Sequence, residues 1–163
     1  MTPQVTFVPG AAGRAAFWEP VADGLPSTWP RTLVDLPGLG AILPQPGIGS
    51  YDDLVAHIAG RMPDRTVLVG QSMGGYLAMR VALAHPERVS HLVLTVAAAG
   101  VDMAAHGAVD WRSGYHDEYP TAAPWATAPV PPVLDDLRGL AVPALLVWAT
   151  RDAISPLAVA RTL

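Results

Sequence analysis

The chain has 163 residues, 51% hydrophobic and 15% charged, with a formal net charge of -4. That length suits one domain with room for a real core, and the mild negative charge gives no electrostatic case for a nucleic-acid partner or an anionic membrane. With no cysteine, disulfides and thiolate metal sites are excluded; no apolar run approaches the ~18 residues of a membrane span, and the start MTPQVTFVPG lacks the parts of a signal peptide, so a soluble, cytoplasmic protein is expected.

Val5 to Val8 is a β-rich run ending in Pro9-Gly10-Ala11-Ala12-Gly13, after which Phe17, Trp18, Val21 and Leu25 recur at helical spacing. Arg31 to Leu36 reads as a second strand, closed by the turn Asp35-Leu36-Pro37-Gly38-Leu39-Gly40, where Asp35 is a turn-forming carboxylate bonding nearby amides. Residues 41–49, rich in proline and glycine, form a surface loop. Ser50 is the expected N-cap of a following helix, with Asp52 and Asp53 in its first turn and Leu54, Ile58 and Met62 on its buried side. His57 within it reads as structural.

Arg65 to Arg80, RTVLVGQSMGGYLAMR, is the stretch around which the chain is arranged. It reads as a buried strand over Thr66 to Val69, a tight turn Gly70-Gln71-Ser72-Met73-Gly74, and a helix from Met73. A G-x-S-x-G turn between strand and helix sets the serine in dihedrals few residues accept, while the two glycines let strand and helix pass close together. The hydroxyl then stands at a helix N-terminus, whose free N–H groups favour developing negative charge. The plainer reading of the same five residues is an ordinary glycine-rich turn.

The helix stops at His85-Pro86-Glu87-Arg88, and His91 to Val96 is the next strand. From Val101 to Leu140 the character changes: prolines cluster, and Trp111, Tyr115, Tyr119 and Trp125 follow no sustained period. These aromatics either line an apolar pocket or bolt the segment to the core. Val142 to Thr150 is a further buried, parallel-type strand ending in Arg151-Asp152-Ala153-Ile154-Ser155-Pro156.

Gly70-Gln71-Ser72-Met73-Gly74-Gly75, followed by His85-Pro86-Glu87-Arg88-Val89 and the strand His91 to Val96, resembles the α/β-hydrolase superfamily, specifically its short bacterial esterase-like serine hydrolases. The likeness runs from Val5 to Pro156 and is weakest between Val101 and Leu140. It implies an α/β fold, a mostly parallel sheet with helices on both faces, in one domain over 1–163 with a small cap or lid inserted at 101–140. It implies Ser72 as nucleophile, the Met73 amide as one oxyanion donor and the Ala11 amide as the other, since Pro9-Gly10 stands where relatives carry a His-Gly pair. The Arg151 to Pro156 turn resembles the acid-bearing turn of the family, with Ala149 in place of its glycine, so Asp152 is the implied acid; Asp102 is the second choice. The implied reaction is hydrolysis of an ester, thioester or related acyl bond of a small-molecule substrate through an acyl-enzyme, with no metal or organic cofactor.

In this family the histidine of the triad follows one more strand after the acid. None of the five histidines holds that position and the sequence ends at Leu163, so the expectation is a truncated hydrolase fold whose activity as given is in doubt and whose strand Val142 to Thr150 is left as an uncovered sheet edge with apolar surface facing water. A non-catalytic ligand-binding relative is the rival reading, and a haloperoxidase or C–C bond hydrolase on the same fold the third.

Overall fold

The computed structural model describes residues 2–163. Five parallel strands form one sheet in the order β2-β1-β3-β4-β5: β1 Val5–Val8, β2 Arg31–Leu33, β3 Thr66–Gln71, β4 Val89–Thr95 and β5 Ala144–Val147. Parallel strands need crossovers, and helices supply them: α1 Glu19–Asp23 after a 3-10 turn at Ala15–Trp18, α2 Tyr51–Arg61, and α3 Met73–Ala84. Three short helices, α4 Tyr115–Glu118, α5 Leu134–Leu137 and α6 Leu157–Ala160, punctuate the C-terminal third.

The alternation of side chains along each strand sorts the core into two layers. Val8, Leu68, Leu92 and Leu94 pack with α2 and α3 in the larger cluster. Val5, Phe7 and Val69, from the opposite pleats, pack with Trp18 and Ala22 in the smaller one. The sheet therefore has helices on both faces, as expected. The face of α1 differs from the sequence reading: Trp18 and Ala22 are buried, whereas Phe17 and Val21 point to solvent. The Trp18 indole fixes this choice by donating to the Val8 carbonyl at 3.0 Å, which leaves Phe17 stacked edge-on against it from outside.

Local signals account well for α2 and α3. The Ser50 hydroxyl accepts from the Asp53 amide at 3.2 Å and Asp53 answers by accepting from the Ser50 hydroxyl at 2.8 Å, and Leu54, Ile58 and Met62 are buried as their spacing requires. Helix α3 is buried on nearly every side, packed between the sheet and α2. Asp35 shapes a turn, yet the amide it accepts from is that of Ala15, 20 residues earlier, at 2.7 Å, so it ties the second βα unit to the first.

The last strand is shorter than the Val142 to Thr150 read from sequence and is left uncovered, as expected. β5 is parallel and pairs with β4, but it covers only Ala144–Val147 and is exposed, with Leu145 at 58% and Val147 at 43% accessibility. It forms one edge of the sheet, and around it the larger cluster takes in Val142, Trp148 and Leu163.

Candidate active site

The turn after β3 carries one of the two non-glycine residues with positive φ among those described. Ser72 has φ 53° and ψ -120°, a positive-φ conformation that a side chain normally avoids. Glycines allow it to persist. A Cβ on Gly70 would lie 2.5 Å from the Gly74 carbonyl oxygen, and one on Gly75 2.4 Å from the Ala97 Cβ, so strand and helix meet at a distance that other residues forbid. The Ser72 amide donates to Thr95 O at 2.9 Å, and its carbonyl accepts from Gly75 and Tyr76 as the first ring of α3. Met73 is the first residue of that helix, so its N–H has no intrahelical acceptor.

Ser72 and Met73 lie on the wall of a cavity of about 490 Å³. The remaining wall comes from four places: Tyr76 of α3, the chain leaving β4 (Val96, Ala98, Gly100), residues 101–140, including Met103, Trp111 and Arg112, and Ile154 and Ser155 of the turn after β5. The lining is mainly apolar with a few polar groups, the pattern of a small-molecule site. Burial raises the pKa of the Tyr76 phenol, so it stays protonated and donates to the Pro131 carbonyl at 3.1 Å.

The other two expected site residues, Ala11 and Asp152, do not line this cavity but adjoin residues that touch it or Ser72. Ala11 follows Gly10, where a Cβ would be 3.3 Å from the Ser72 Cβ, so the Pro9 to Gly13 loop runs directly beside the serine. Asp152 precedes Ile154 and Ser155, and its Oδ1 accepts both their amides at 2.8 Å. Both of these bonds fall on one oxygen of the carboxylate. Asp102, the second choice, lines the cavity and accepts from the Ala104 and Ala105 amides. None of the five histidines lines it; His116 sits outside, 3.3 Å from the Thr127 hydroxyl.

Three features of the site were not foreseen from sequence. Val96 lines the cavity at φ 46°, and a β-branched valine is the residue type least expected there. The Ser155 hydroxyl is buried against the cavity without a hydrogen-bond partner. Tyr115 donates to the Ala11 carbonyl at 2.6 Å across 104 residues of sequence. The aromatics of 101–140 turn out to divide: Trp111 lines the cavity, while Tyr115 and Trp125 hold the segment to the core, Trp125 edge-on to Tyr51 at 5.3 Å.

The sequence model of the alpha/beta hydrolase fold family matches residues 3–123. The chain belongs to the α/β-hydrolase family. Among curated relatives, a pimeloyl-(acyl-carrier protein) methyl ester esterase of Nitrosomonas europaea is 35% identical over 115 residues, covering 71% of this chain and 44% of the relative. The enzyme of the same name from Citrobacter koseri is 40% identical over 87 residues, 52% of this chain and 32% of that one. The matches thus span less than half the length of these curated relatives. Among solved structures, a hydrolase from Pseudomonas aeruginosa superposes with a TM-score of 0.78 at 17% identity, covering 99% of this chain and 77% of the other. A meta-cleavage product hydrolase from Pseudomonas fluorescens gives 0.74 at 20% identity, over 98% and 77%. These two likenesses establish the fold of the α/β hydrolase described here. No helix among its described residues is long and apolar enough to cross a membrane.

Proposed function

We propose that the protein is a serine esterase in which Ser72 is the nucleophile. The observation that carries this reading is the Ser72 backbone at φ 53°, at the N-terminus of a 12-residue helix and on the wall of a mainly apolar cavity. Strain of this kind persists where the surrounding packing over-determines it, and it clusters at sites where a side chain must be presented.

In the proposed reaction the Ser72 oxygen attacks the ester carbonyl carbon, its proton passes to a histidine, and the carbonyl oxygen becomes an oxyanion held by the Met73 and Ala11 amides. Collapse expels the alcohol, which takes the proton back, and leaves an acyl-enzyme. Water repeats the sequence and releases the acid. Asp152 orients the histidine: with Oδ1 engaged by two backbone amides, the carboxylate is held in one place and its other oxygen serves the imidazole. The reading assigns that base to a histidine outside these 163 residues, because none of the five within them reaches the cavity. Residues 101–140 act as a small cap whose Trp111 and Met103 meet the acyl chain, and no metal or organic cofactor takes part.

The substrate class we infer is a carboxylic ester of a small alcohol. Its support is the apolar wall beside Ser72 together with the esterase relatives that are 35% and 40% identical. The test is turnover of a series of methyl and p-nitrophenyl esters by the full-length protein. Loss of a triad nucleophile costs about a millionfold in kcat, so Ser72→Ala is expected to reduce turnover to background without loss of folded protein. A ligand-binding protein without chemistry is the second reading, favoured by the lack of a histidine on the wall. Tight binding of an acyl ligand, equal in Ser72→Ala, with no ester turnover by the full-length protein would establish it in place of the first.

A further inference from the structure

We propose that Tyr115 is a positioning residue that holds the oxyanion loop from the segment 101–140, an inference that rests on the serine-esterase reading above. The loop is a tight turn, closed by the Gly13 amide donating to Gly10 O at 2.9 Å. That bond makes Ala11 and Ala12 its central residues, whose amides take no part in closing it, and only Gly13 in it has positive φ. The Ala11 N–H shares a peptide plane with Gly10 O, so the closing bond sets that plane; it leaves open how the loop, with Ala11 half-buried and Ala12 exposed, is seated against Ser72. Several contacts outside the turn seat it, among them the Leu36 amide donating to Gly13 O at 2.9 Å and the Gly40 backbone close against the Ala12 carbonyl. On one side Gly10 packs against the Gln71 side chain and Ser72, where an added Cβ would lie 2.3 Å from Gln71 Oε1 and 3.3 Å from the Ser72 Cβ. On the other, the Tyr115 hydroxyl donates to the Ala11 carbonyl at 2.6 Å while accepting from the Gly40 amide at 2.7 Å. Residue 11 is thus held in both its peptide planes, the one carrying its N–H by the turn bond and the following one by Tyr115.

The hydroxyl suits this work. Burial raises the Tyr115 pKa, so the phenol stays neutral and keeps a proton to donate. Its ring is 4% accessible and boxed in by Trp111 at 5.3 Å and Tyr119 at 5.1 Å, both tilted or edge-on. Trp111 is itself part of the cavity wall, so the same aromatic cluster touches the acyl side of the site and the loop that serves its oxyanion. Pre-organised donors give their full benefit only when they need no reorientation as charge develops, so a freed Ala11 carbonyl weakens transition-state binding and leaves ground-state binding nearly unchanged.

The test compares Tyr115→Phe with Tyr51→Phe in the full-length protein. Tyr51→Phe removes a similar buried hydroxyl bond, to Ala126 O at 2.5 Å, from the same core without touching the loop. Complete loss of one oxyanion donor costs on the order of 100- to 1,000-fold, so a loosened one should lower kcat for a p-nitrophenyl ester by about 10- to 100-fold. KM should stay within about twofold. Affinity for a trifluoromethyl ketone should fall with kcat, since that ketone adds the Ser72 oxygen and leaves a negative oxygen in the hole, the serine proton going to the base. Tyr51→Phe should lower Tm while kcat and inhibitor affinity hold. Unchanged kcat and inhibitor affinity in Tyr115→Phe, or equal losses in both variants, would overturn the assignment while leaving the esterase reading intact. No turnover by the unmutated protein would instead sink that reading, and this one with it.

Discussion

Gly74 passes so close to Pro9 that a methyl group on it would stand 2.1 Å from the Pro9 carbonyl oxygen. This contact joins the start of α3 to the end of β1, and it is what brings the Pro9 to Gly13 loop beside Ser72. The neighbouring atoms are backbone, with the Val8 carbonyl 2.5 Å from the same point, so no rotamer change relieves the clash.

Gly74→Ala is therefore expected to destabilise the fold by about 2–3 kcal/mol, the range for overpacking a tight site. Gly60 in α2 is the matched control: an added Cβ meets nothing within 4 Å, and alanine there should stabilise by roughly 0.5–1 kcal/mol. Urea denaturation of the two variants checks both signs at once.

Asp152→Asn separates charge from shape. The amide oxygen of asparagine still accepts from the Ile154 and Ser155 amides, so the turn and the Tm should be kept. If Asp152 orients the base, kcat for an ester falls by about 10⁴-fold, the cost of the wrong imidazole tautomer. Retained kcat in Asp152→Asn with a large loss in Asp102→Asn would move the acid to Asp102.

Val96 at φ 46° stores backbone strain on the cavity wall. Both Val96→Ala and Val96→Gly delete the side chain, but only glycine adopts this conformation without cost. Val96→Gly should therefore be the more stable of the two by about 1 kcal/mol, reversing the usual order at a strand end. Thermal unfolding of the pair measures it.

His57 gives the fold a pH dependence of definite sign. Its Nε2 lies 3.1 Å from the Asp35 carbonyl and its Nδ1 2.9 Å from Arg61, so the neutral ring with the proton on Nε2 satisfies both. Burial first, then the Arg61 charge, holds its pKa below the usual value of 6.5. A depressed folded pKa means the unfolded chain binds the proton more readily, so the stability is present above pH ~6.5 and is lost as pH falls through the folded value. The drop in denaturation midpoint between pH 7 and pH 5 should shrink in His57→Gln.

Sequence reasoning worked where the cause is local. The Ser50 cap, the strand β1, the start of α3 at Met73 and the glycines around Ser72 all follow from a few adjacent residues, and the structure has them where the pattern puts them. It failed where the cause is distant. The apolar run VPALLVWAT by itself reads as buried, and its exposure is legible only from the expected lack of a covering element at that sheet edge. Tyr115 and Trp125 follow no period because their partners, Ala11 and Tyr51, lie in other units of the chain. The φ of Val96 has no sequence signal, since the residue type argues against it.

The central claim, that residue 72 is the nucleophile, is tested most directly by treating the full-length protein with a fluorophosphonate and locating the adduct by peptide mass spectrometry. The account predicts one phosphonylated residue, Ser72, with labelling abolished in Ser72→Ala and slowed by an ester competitor. Labelling at another residue, or an unlabelled protein that still hydrolyses esters, would contradict it.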